Sequence, residues 1–233
     1  MNKTEELTAQ YLQSLGYLPI FEPRGIGTFP DFEVTSELGV EVRLLNEHYF
    51  KSGKPKGLRE ESQPLHDRIE AILRTFDEQY NGYTYFIGIH FIRPLAKSGF
   101  IKETLKKILC KFLEEPYFFI PNNIGSCISV TFIKGDPVEG KTFLIATELD
   151  MNSGGSVIPN FIKNINHCIA NKTKKQQPHR YLYQKWWLIL VDQICFGVSV
   201  TERNAVLSAI KNRESWDKII ILNSLNGNLI LEI

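Results

Sequence analysis

Three dense apolar runs constrain this chain more than any other feature: residues 83–92 (YTYFIGIHFI), 185–191 (KWWLILV) and 218–222 (KIIIL). Each is of strand length and rich in aromatic and β-branched residues, the composition of a buried strand. None approaches the roughly 20 apolar residues that a bilayer-crossing helix needs. Stretches of helical periodicity separate them. Leu7, Tyr11, Leu12 and Leu15 share a face over residues 3–15, with Gly16 as the stop, and Leu65, Ile69, Ile72, Leu73 and Phe76 do so over residues 65–80. Residues 100–113, about 158–174 and 202–211 read as further helices, the first with lysines on its outer face. Extended stretches are expected at 17–21, 29–35, 39–45 and 229–233, the last after an Asn226-Gly227 turn. Residues 126–133 and 142–147 read as a hairpin or two neighbouring strands. This alternation predicts an α/β protein with a mixed sheet.

Charge is balanced across the 233 residues: 27 Lys and Arg against 26 Asp and Glu, a formal net of +1. With 43% hydrophobic residues, this excludes a disordered chain and a bulk-cationic coat for nucleic acid. The length predicts one domain over residues 1–233, with strands and helices inserted or appended after residue 60. The opening MNKTEELTAQ lacks the apolar core of a secretory signal, so a cytoplasmic location is expected. Cys110, Cys127, Cys168 and Cys195 form no CxxC pair, which leaves no zinc spacing and reads as reduced core thiols.

The chemistry concentrates between residues 30 and 46. Pro30-Asp31 opens one extended stretch, and Gly39-Val40-Glu41-Val42-Arg43-Leu44-Leu45 forms the next. Period-two alternation points Val40, Val42 and Leu44 one way and Glu41 and Arg43 the other. Antiparallel pairing would bring Asp31 within reach of Glu41. Two such carboxylates suit Mg²⁺, which takes one or two carboxylates and completes its shell with water and substrate phosphate oxygens. A neighbouring cation, Arg43, can neutralise charge developing on a phosphodiester.

The pattern resembles the PD-(D/E)xK nuclease superfamily, the restriction-endonuclease-like fold. Pro30-Asp31 on one strand, Glu41-x-Arg43 on the next and a preceding acidic helix carry the likeness, and the order of elements extends it. Downstream, WWLILVD (residues 186–192), a helix and WDKIIIL (residues 216–222) look like the later part of uncharacterised bacterial members. The resemblance implies a central mixed sheet flanked by helices and metal-dependent phosphodiester hydrolysis, with DNA favoured over RNA. It implies Asp31 and Glu41 as ligands of Mg²⁺ or Mn²⁺, with Glu5 favoured over Glu6 as a third carboxylate. A homodimer is an assembly such enzymes often adopt. The departure is Arg43, where the family has lysine. Arginine stays charged and cannot take a proton from water. The alternative is a protein that keeps the fold without catalysis and acts as a nucleic-acid-binding or protein-interaction module.

Local basic segments supply candidate phosphate contacts. Lys51, Lys54 and Lys56 lie in a Gly/Pro loop directly after the Glu41 stretch, and Lys172, Lys174, Lys175 and Arg180 precede the Trp186 run. Glu33 reads as a solvated edge residue and His48 as a surface histidine. His66, His90, His167 and His179 show no ligand spacing. Trp186 and Trp187, being adjacent on a strand, are expected to face opposite ways.

Overall fold

A computed structural model describes residues 1–25, 27–50 and 55–233. The order is α1 (Lys3–Ser14), β1 (Ile20–Phe21), β2 (Phe32–Thr35), β3 (Leu38–Leu45), β4 (His48–Tyr49), β5 (Lys56–Gly57), α2 (Leu58–Arg74), β6 (Tyr85–Phe91) and α3 (Ser98–Glu114). It continues with β7 (Asn122–Ile124), β8 (Ile128–Lys134), β9 (Phe143–Asp150), α4 (Val157–Gln176), β10 (Lys185–Asp192), α5 (Val200–Ala209), β11 (Lys218–Asn223) and β12 (Leu229–Glu232). The chain forms two compact units, one from residues 1–48 and 155–233 and the other from residues 49–154. It is an α/β protein.

The first unit holds a six-stranded mixed sheet in the order β1-β2-β3-β10-β11-β12. β2 and β3 pair antiparallel, β10 runs parallel to both β3 and β11, and β12 closes the edge antiparallel to β11. Alternation along the strands divides the core in two. Val40, Val42, Trp187 and Ile189 pack with Ala9 and Leu12 of α1 on one face. Leu45, Trp186, Leu188 and Leu190 pack with Phe161, Ile165, Cys168 and Ile169 of α4 and Val206 of α5 on the other. The adjacent tryptophans do face opposite ways, and both are buried. Asp192, at the end of β10, is buried and accepts from the backbone N–H groups of Ile194, Cys195 and Phe196, which fixes the loop that follows. Burial raises its carboxyl above the usual value while those donors oppose the rise.

In the second unit a four-stranded sheet runs β7-β8-β6-β9. β6 is antiparallel to β8 and parallel to β9. Leu65, Ile69, Ile72 and Leu73 of α2 and Ile101, Leu105, Leu109 and Phe112 of α3 share one core with Ile87, Ile89 and Phe91. The expected neighbours β8 and β9 are not adjacent, because β6 lies between them. The hairpin partner of β8 is β7, joined through Gly125 at positive φ. α2 starts seven residues before the expected residue 65 and carries Pro64 inside it. Cys110 is exposed on α3, contrary to a core role for every cysteine, whereas Cys127 and Cys168 are buried.

Candidate functional site

The site lies on the α4 face of the six-stranded sheet. The β2–β3 register pairs Phe32 with Val40 and Glu33 with Gly39, so Asp31, one step before β2, stands opposite Glu41. The two are tied by reciprocal hydrogen bonds. The Asp31 backbone N–H donates to Glu41 Oε1 at 3.2 Å, and the Val42 N–H donates to Asp31 Oδ2 at 2.7 Å. Lys172, reaching in from α4, donates its ammonium to Glu41 Oε2 at 2.6 Å and to Asp31 Oδ2 at 3.2 Å. One cation therefore touches both carboxylates.

Exposure differs sharply among the three side chains: 1% for Glu41, 12% for Lys172 and 29% for Asp31. Glu41 sits beside Leu188 of β10 in register, and burial pushes its carboxyl from 4.5 up to about 7. Lys172 pulls against that rise and Asp31 adds to it. Arg43 shares the Glu41 face and lies close enough to the buried Cys168 thiol for its charge to oppose the effect of burial there. Burial raises that thiol to about 11, so it is no nucleophile at neutral pH.

A polar stripe continues along α4. His48, buried rather than at the surface, contacts Asn164 Oδ1 through both its backbone N–H and Nδ1 at 3.0 Å. Its ring lies 4.6 Å from that of His167, and Asn171 Nδ2 lies 2.9 Å from His167 Nε2. Burial drives His167 down to about 4, helped by His48 and Arg43, which keeps it neutral near pH 7. Asn160 donates to Glu47 at 2.6 Å. Glu33 is not simply solvated, since it accepts from the Tyr183 hydroxyl.

Other expected residues lie apart from this cluster. Both Glu5 carboxylate oxygens accept from Asn2 in a capping box at the start of α1, the helix covering the opposite sheet face. Among the described residues, no group of three or more His, Cys, Asp or Glu side chains is placed to hold a metal. Lys174 and Lys175 are exposed in the last turn of α4, where positive charge suits the helix dipole. Arg180 donates to the Ser215 carbonyl at 2.9 Å. In the other unit, Lys56 pairs with Glu61 at 3.2 Å. Lys51 and Lys54 lie outside the described residues. Lys172, grouped in the sequence with its basic neighbours, is instead the centre of the carboxylate pair.

No family model, curated protein or solved structure matches the chain. No helix among the described residues is long and apolar enough to cross a membrane.

Proposed function

We propose that the Asp31–Glu41 pair is the metal-binding centre of a restriction-endonuclease-like nuclease that hydrolyses phosphodiester bonds, with DNA as substrate. The observation that carries this reading is the single ammonium shared by both carboxylates, which shows that one compact cation can reach the two. The donor set fits a hard divalent ion. Asp31 and Glu41 would hold Mg²⁺ or Mn²⁺, and two carboxylates suffice when water and substrate phosphate fill the remaining positions. Bound there, the ion would supply Lewis-acid stabilisation of phosphate charge and a more acidic water.

The chain's own residues divide the remaining work. Burial of Glu41 among apolar neighbours strengthens any electrostatic contact made at its carboxylate. Lys172 holds both carboxylates in place and presents a cation beside the expected scissile phosphate. A lysine there can donate a proton and, once neutral, take one up, which Arg43 cannot do from β3. Arg43 stands on the same face as a permanent positive charge for an anionic transition state.

The test is incubation of supercoiled and single-stranded DNA with the purified protein and Mg²⁺ or Mn²⁺. Nicking or degradation is expected. Asp31→Ala, Glu41→Ala and Lys172→Met should each lower the rate by at least about a hundredfold, the scale of losing one group that stabilises transition-state charge. No cleavage with either metal, together with no metal binding by calorimetry, overturns the proposal. A second reading draws on the same ammonium, which already neutralises both carboxylates: a fold retained for nucleic-acid or protein binding without catalysis. Metal binding that displaces Lys172 separates the two.

A further inference from the structure

We infer that α3 of the second unit is a nucleic-acid-binding surface that grips the phosphate backbone. Ile101, Leu105, Leu109 and Phe112 point into the core and are fully buried. The rest of the helix carries Lys97 at its N-cap, then Lys102, Lys106, Lys107 and Lys111. Four of these five are exposed and Lys106 is half-buried. The acids over the same stretch are Glu103, Glu114 and the C-cap Glu115. Lys56, Lys141, Lys172 and Lys218, which do pair with carboxylates, lie elsewhere. Among the described residues, the α3 lysines make no ion pair.

Five cations spread over roughly 20 Å of helix match a ligand with regularly repeated negative charge. The choice of nucleic acid over other polyanions rests on the nuclease reading above; the charge pattern does not. An anionic membrane is the weaker fit. An interfacial helix buries an apolar face in lipid, and the apolar face of α3 is already spent on its own core.

The test measures binding of a labelled DNA duplex to the full chain in EDTA, over a salt series, by fluorescence anisotropy. Cleavage is silent under these conditions, so the anisotropy reads binding alone. Replacing Lys102, Lys106, Lys107 and Lys111 with Gln should weaken binding at least about tenfold near 100 mM salt and flatten the log–log salt slope by about 3 to 4. A control carrying Lys3→Gln, Lys134→Gln and Lys211→Gln should lose far less. Cys110, exposed on the same helix, gives a reading on the unaltered chain: bound duplex should slow its alkylation several-fold, and high salt should restore the rate. Unchanged affinity and slope in the quadruple variant, no protection of Cys110, or no duplex binding by the wild type would each overturn the inference. So would loss of binding to phosphatidylserine-containing vesicles with duplex binding intact.

Discussion

Each unit holds a basic side chain between two acidic ones, and the two arrangements differ in what they leave open. In the second unit the Arg93 side chain is fully buried. Its Nη1 meets both oxygens of Asp150 at 2.6 and 2.7 Å, its Nε meets Glu61 at 3.0 Å, and its Nη2 donates to the Leu58 carbonyl at 2.8 Å. A planar, permanently charged fork is matched on every side and ties the start of α2 to the end of β9. In the first unit Lys172 offers a compact ammonium to two carboxylates, one buried and one partly open to solvent. Another compact cation could take its place. The first arrangement reads as a fastening and the second as an exchangeable counter-ion, which is why the proposed chemistry is assigned to Lys172.

The largest expected effect separates the two directly. Arg93→Met leaves Asp150 without its counter-charge and Glu61 with only the exposed Lys56, and should cost about 3–5 kcal/mol of stability, the usual scale for breaking a buried ion pair. Lys172→Met should cost less than about 1 kcal/mol, because Glu41 is already poised to accept a proton in place of its partner. Urea unfolding followed by circular dichroism measures both. Equal losses would make Lys172 a second fastening and remove the distinction.

A smaller effect concerns pH and metal. Glu41 titrates near the ordinary 4.5 when unfolded and at about 7 when folded, so the folded state holds the proton more tightly. Its ionisation therefore destabilises the fold progressively as pH rises from about 4.5 to about 7, by about 3–4 kcal/mol in full, with no further change above. Glu41→Gln should gain on the wild type across that window and keep the gain at pH 8, as thermal melts at pH 4 to 9 would show. A difference that runs the other way would contradict the burial of this carboxyl. Mg²⁺ should stabilise the wild type by about 2.7 kcal/mol at a hundredfold excess over its Kd, more at pH 8 than at pH 6, since it competes with that proton. Asp31→Asn should abolish the increment and Asp150→Asn should leave it intact.

The local half of this site was legible in the sequence. Period two placed Glu41 and Arg43 together on one face of β3 and set Asp31 against Glu41 across a short turn. Lys172 comes from a helix far along the chain, so no local pattern could place it. A signal did exist, because Phe161, Ile165, Cys168 and Lys172 follow helical spacing and the lysine extends a buried stripe. A cation in line with a core face needs a buried anion, and Glu41 is that anion. Glu5 illustrates the converse: Asn2 and Glu5 have capping-box spacing, which assigns the carboxylate to its own helix end. The β8–β9 adjacency failed because nearness in sequence does not show that β6 returns between them.

The smallest expected effect falls on Arg43. Its guanidinium stands near the Cys168 thiol, and a lysine at that position offers fewer and differently placed donors. Arg43→Lys should cost about 1 kcal/mol of stability, the usual size of a single substitution. If Lys172 supplies the exchangeable proton, Arg43→Lys should change the rate of DNA cleavage by less than about threefold, since a cation stays on the Glu41 face in either case. If instead the β3 position governs proton transfer, Arg43→Lys should raise the rate tenfold or more while Lys172→Met leaves it unchanged. Measured together, these two substitutions decide whether the reactive ammonium of this protein projects from α4 or is missing from β3.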